Sequence, residues 1–153
     1  MVLLTLIFLL VDIVSKIIID RYMMVDGSIK LVNNFLYITY VRNTGAAWSI
    51  FASKTYFVII VSFVIICGLF IYLYINKPKG KMEKMAYAMI LGGALGNFLN
   101  RLFCGYVIDF IDVKILKYDY PIFNFADTFI VMGVLFLMIY TWRCENGDSG
   151  KRK

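Results

Sequence analysis

Four stretches of this chain are apolar over about the depth of a bilayer's hydrocarbon core, and they leave few folds open to it. They run from Val2 to Ile19, Thr55 to Ile75, Met85 to Ile108 and Tyr120 to Trp142. A helix needs roughly 20 mostly apolar residues to cross. The second stretch has no charge, the third carries only Arg101, the fourth only Asp127, and the first Asp12 and Lys16. The rest of the chain cannot rescue a water-soluble reading. With 61% hydrophobic and only 17% charged residues, it falls well short of the roughly 25% charge of a soluble domain. The first stretch lacks the basic start and small-residue cleavage site of a secretory signal, so it reads as a retained helix. The expectation is an all-α membrane protein with four spanning helices.

Loop charge orients it. Asn76 to Lys84 reads NKPKGKMEK, four lysines in a short link, and the tail after Trp142 holds Arg143, Lys151, Arg152 and Lys153. Basic loops collect on the cytoplasmic side. Both termini therefore belong inside, and 144–153 reads as a polar, disordered cytoplasmic tail. The net charge of +6 is explained by this bias and carries no nucleic-acid signature. The outer segments are then Asp20 to Lys54 and Asp109 to Asp119. Ile29 to Val41 is rich in β-branched and aromatic residues and predicts one or two strands. Asn43-Thr44-Gly45 predicts a turn. Ala46 to Phe51 reads as an interfacial stretch anchored by Trp48.

Chemistry is narrowed by what is missing. There is no histidine, which excludes Ser-His and Cys-His nucleophile pairs and argues against a zinc site. Cys67, Cys104 and Cys144 are widely spaced, with no disulfide framework or metal-ligand spacing. No metal or cofactor is expected.

Ionisable groups inside a membrane are costly, roughly 2.5–3.5 kcal/mol each at a helix centre, and are functional candidates. The expected topology brings Asp12, Lys16, Arg101, Asp109 and Asp127 to one level in the outer leaflet, Asp109 at the outer end of helix three. Asp12 and Lys16, four residues apart, can pair and fix helix one. Arg101 either snorkels to the headgroups or supplies positive charge to a nearby carboxylate. Asp109 and Asp127 lie among apolar neighbours without a basic residue one turn away. Brought together, one would keep its proton while the other acts as base, as in aspartic proteases. The alternative is a pair of helix-capping carboxylates. Asp112 and Asp119 are rival partners, but Lys114 and Lys117 beside them suggest a solvated loop. The run Gly92-Gly93-Ala94-Leu95-Gly96 predicts close helix packing beside Asn97. On these residues alone a small transporter with a proton relay and a non-catalytic adaptor also remain open.

Five motifs in order narrow the choice. They are Asp12-Ile-Val-Ser-Lys16, Asn43-Thr-Gly-Ala-Ala47, Gly92-Gly-Ala-Leu-Gly-Asn-Phe-Leu-Asn-Arg101, Val107-Ile-Asp-Phe110 and Phe123-Asn-Phe-Ala-Asp127. Together they strongly resemble bacterial lipoprotein signal peptidase (signal peptidase II). The resemblance implies a membrane aspartic endopeptidase of the bacterial cytoplasmic (inner) membrane. It would cut a prolipoprotein just before a cysteine that already carries diacylglycerol. It implies one peptidase domain over 1–143, with spans near 2–19, 55–75, 85–108 and 120–142. A small extracytoplasmic β-cradle would lie between helices one and two, near 28–52. Asp109 and Asp127 match the catalytic dyad. Asn43, Gly45, Gly93, Asn97, Arg101, Asn124 and Ala126 match positions that line or support the substrate site, and Asp12 and Lys16 match a structural pair. The resemblance further implies contact with membrane lipid, inhibition by globomycin-type cyclic peptides, function as a monomer, and an active site facing outward. Asn100 departs from the pattern, standing where an aspartate is frequent before the arginine. The short amino-terminus departs too, lacking the basic residues that often precede helix one.

Overall fold

A computed structural model of the chain describes residues 1–45, 55–115 and 118–149; the expected interfacial stretch around Trp48 lies outside them. Four long helices form: α1 Val2–Tyr22, α2 Thr55–Asn76, α3 Lys81–Cys104 and α4 Phe125–Ser149. Three of them, α1, α2 and α4, are long and apolar enough to cross a membrane. Their outward faces show why. α2 buries only Val58, Ile66 and Leu73, while Ile60, Val64, Ile65 and Ile71 are exposed. Such a helix is stable only where the solvent is itself apolar.

α3 differs. It carries Lys81, Glu83, Lys84 and Arg101 and is the most buried helix, packed against α1, α2 and α4. Its neighbours shield it, so its own sequence need not be uniformly apolar. The small residues expected at close crossings are where contact is tightest. A Cβ on Gly93 would strike the Ala126 carbonyl of α4, and one on Gly96 would strike the Asp12 carboxylate of α1. Glycine here lets the backbones approach.

The third helix ends earlier than the apolar run predicts. Gly105 takes a left-handed φ of 78° and donates its N–H to the Arg101 carbonyl at 2.9 Å. That cap stops α3 at Cys104. Asp109 therefore lies on a strand, β3 Val107–Ile115, and not at a helix end. The strands expected after α1 do form, as the antiparallel hairpin of β1 Ser28–Val32 and β2 Leu36–Asn43. The sheet is larger than a cradle between helices one and two. β3 pairs antiparallel with β2, setting Val41 opposite Asp109, and the two-residue β4 Tyr118–Asp119 pairs with the far end of β3. Asp112 is not solvated as its lysine neighbour suggests. It is buried and accepts a hydrogen bond from the Thr39 hydroxyl at 2.8 Å.

Two straps hold the sheet on the bundle. The Phe123 carbonyl, two residues before α4, accepts the N–H groups of Phe110 (3.0 Å) and Ile111 (2.7 Å). Tyr40, Ile108 and Phe110 form a small core with Ile19, Met23 and Phe125, and the Tyr40 hydroxyl donates to Asp20 on α1. α4 starts at Phe125, five residues later than the apolar run, because Pro121 to Asn124 lie along β3. At its other end it runs on to Ser149, so Glu145 to Ser149 are helical and not a disordered tail.

Candidate active site

The site forms where the sheet meets the bundle. Asn97 and Arg101 come from α3, Asp127 from the first turn of α4, Asp109 from β3 and Asn43 from the end of β2. All five line one cleft of about 240 Å³, together with Tyr120 to Phe123, Ile130 and Val131. The sequence reading missed these last residues, since their approach depends on how the segment before α4 docks on β3.

Asp127 is fixed by a local motif. Asn124 caps α4: its Oδ1 accepts the Asp127 N–H at 3.0 Å, and Asp127 Oδ2 accepts the Asn124 N–H at 3.2 Å. This reciprocal cap is the helix-end role that capping carboxylates take. It occupies only one carboxylate oxygen fully. The other, Oδ1, accepts from Asn97 Nδ2 at 2.8 Å and borders the cleft.

Asp109 is nearly buried, at 3% exposure. Its Oδ1 accepts from Asn124 Nδ2 at 2.6 Å and its Oδ2 from Asn43 Nδ2 at 2.9 Å. Burial pushes its carboxyl up to about 6, against the lowering pull of the Asn43 bond; the Asp127 charge raises it further and the Asn124 bond lowers it. Neither aspartate forms a salt bridge among the described residues, in contrast to Asp12 with Lys16 and Asp20 with Arg42. Two carboxylates held by neutral amides at one cavity wall can share a proton and serve as acid and base.

The other expected residues support this pair. Asn43 Oδ1 accepts the Gly45 N–H at 2.9 Å, closing the expected turn. Arg101 does not snorkel; it is 8% exposed, and its Nη2 donates to the Gly45 carbonyl at 2.7 Å. Gly93 and Ala126 meet at the α3–α4 crossing just behind the dyad. Asp12 and Lys16 pair at 2.8 Å, fully inside the bundle. Asp12 Oδ1 also accepts the Ala126 N–H at 2.9 Å, which ties α1 to the start of α4. Asn100, the departure from the family pattern, accepts the Ile108 N–H at 2.9 Å through Oδ1. Only an oxygen acceptor is needed there, and an amide supplies it without a charge.

Comparison with known proteins finds relatives over nearly the whole chain. The family model described as signal peptidase (SPase) II matches residues 4–143. The lipoprotein signal peptidase of Anoxybacillus flavithermus is 37% identical over 97% of this chain and 88% of its own. That of Staphylococcus carnosus is 42% identical over 88% of this chain and 85% of its own. A solved structure described as a bacterial membrane enzyme superposes with a TM-score of 0.85 at 35% identity, covering 99% of this chain and 90% of that one.

Proposed function

The chain belongs to the signal peptidase II family, and from that premise we infer that it is a membrane aspartic endopeptidase. It removes signal peptides from diacylglyceryl-modified bacterial prolipoproteins by cutting before the lipidated cysteine. The observation that carries the catalytic part is the pairing of Asp109 and Asp127 at one cleft, each held by asparagine amides and neither neutralised.

In this reading one carboxylate takes a proton from a water lodged between the pair. The other, protonated, donates a hydrogen bond to the scissile carbonyl and stabilises the charge that develops there. Asp109 is the member that burial biases towards keeping the proton. Asp127 sits in the first turn of α4, where the helix N-terminus favours negative charge. Asn43, Asn97 and Arg101 border the same cleft and would hold the substrate backbone, with Gly45, Gly93, Asn124 and Ala126 as the frame. An apolar groove of about 360 Å³ adjoins it, sharing Tyr120, Phe123, Asp127 and Val131 and extending to Met132. It would seat apolar substrate groups beside the cut.

α3 serves as the fourth span: its 24 residues extend about 36 Å, more than the hydrocarbon core. The enzyme lies in the bacterial cytoplasmic membrane with both termini inside. The basic link between α2 and α3 and the carboxyl end of α4 are at the opposite end of the bundle from the sheet, so the dyad faces outward. One chain supplies every group the chemistry needs, consistent with a monomer, and the cleft would be the target of globomycin-type inhibitors.

Cleavage of a diacylglyceryl-modified prolipoprotein by the purified protein in lipid vesicles tests the proposal. Asp109→Asn and Asp127→Asn should each lower the rate by about 10³-fold with the unfolding transition retained. Near wild-type cleavage by either folded variant would remove the dyad from the mechanism.

A further inference from the structure

Lys16 lies outside the cleft, yet its hydrogen bonds lead into it. Its ammonium donates to Asp12 Oδ2 and to Asn97 Oδ1, each at 2.8 Å. A lysine only donates, so the Asn97 atom facing it must be oxygen. The Asn97 amide nitrogen is then turned towards Asp127 Oδ1, at 2.8 Å. The same Asn97 oxygen accepts from Asn124 Nδ2 at 3.1 Å, and that nitrogen also donates to Asp109 Oδ1 at 2.6 Å. One cation thus stands at the head of two amide branches, one ending on each aspartate.

We propose that Lys16 is a positioning residue for catalysis: it orients the Asn97 amide and places its ammonium behind the dyad, favouring the anionic form of the pair. The proposal rests on the dyad reading above. Among the described residues, the charged and titratable groups around the network are Asp12, Lys16 and Asp20 from α1, Arg101 and Cys104 from α3, Asp109 from β3, Asp127 from α4, and Tyr120 at the cleft wall. α2 contributes no charged residue. Arg101 binds the carbonyls of Gly45 and Asn97, so its charge enters from the side of the turn. Lys16 is a cation bonded directly to a side chain that itself bonds the dyad.

The test must separate this from mere structural support. Lys16→Met alone leaves Asp12 buried without a partner, and folding can fail for that reason. The double variant Asp12→Asn/Lys16→Met removes both charges and keeps an oxygen for the Ala126 N–H. Its steady-state kinetics on a lipid-modified prolipoprotein should show kcat reduced about 10-fold and KM within about 2-fold of wild type, because Lys16 does not line the cleft. Both limbs of the kcat/KM pH profile should move to higher pH, because of the two charges removed it is the Lys16 pole that is bonded to the amide contacting the dyad. A folded double variant with wild-type kcat and unmoved limbs overturns the proposal. So does a lower rate with unmoved limbs, the mark of loosened structure. Inactivity of Asp109→Asn and Asp127→Asn alongside either result leaves the dyad standing, so the two readings fail separately.

Discussion

Asp12 and Asp127 are both tied to the first turn of α4, yet they face opposite fates. Asp12 accepts the Ala126 N–H with one oxygen and the Lys16 ammonium with the other, and none of its surface reaches solvent. Its charge is matched and its lone pairs are engaged. Asp127 accepts one backbone N–H and one neutral amide, and it lies on a cavity wall with a second carboxylate. In the proposed mechanism, what separates the structural from the chemical aspartate is therefore the kind of partner. An ammonium offsets the charge of the carboxylate it holds, whereas amides orient a carboxylate without cancelling its charge.

Breaking the sealed side should have the largest effect on stability. Asp12→Ala leaves Lys16 as a buried unpaired cation and releases the start of α4, a loss of about 3–5 kcal/mol. Thermal unfolding in detergent should show it, with activity lost alongside. The open side should instead show its contrast in pH dependence. The Asp109 carboxyl is held at about 6, about two units above its ordinary value. A raised folded pKa stabilises the protein at low pH, and that stability is lost as pH rises from about 4 through 6. The expected change is about 3 kcal/mol, and Asp109→Asn should flatten that part of the melting-temperature profile. An unchanged slope would mean that Asp109 ionises as freely as an exposed carboxylate. The smallest effect concerns the seam between the two sides. Gly93→Ala puts a methyl group against the Ala126 carbonyl, at a cost of about 1–3 kcal/mol. Because Ala126 precedes Asp127, kcat should fall more than the melting temperature suggests.

Much of this arrangement is legible in the sequence. The apolar runs mark the helices, and the costly charges within them mark the level of the site. Ile29 to Val41 reads as strands because its residues suit a pleated surface, and Asn33-Asn34 at the hairpin turn fits that reading. The misplacement of Asp109 has a local cause. Val107 to Ile111 is as apolar as the helix before it, so hydropathy runs on without a break. The stop signal is Gly105 alone. The pairing of β3 with β2 joins residues some 66 positions apart, as in the Asn43–Asp109 bond, and no local periodicity records that. Asn124 and Asp127 could have been recognised as a reciprocal cap, three residues apart at a helix start. The lysine beside Asp112 suggests a solvated loop, but its hydrogen-bond partner, Thr39, lies on another strand.

The strap at Phe123 has a consequence for an enzyme that works in lipid. Asp127 rides on a helix, and helices tilt when the hydrocarbon thickness around them changes. Asp109 rides on a sheet strapped to α1 through Tyr40 and to the start of α4 through Phe123. Phe123 joins the sheet to the chain two residues before α4, and Asn124 reaches from the helix cap to Asp109 itself. The pivot for any tilt of α4 is thus at the dyad, where displacement is least. The two carboxylates proposed as the dyad are joined through Phe123 and Asn124 at the point where α4 would pivot.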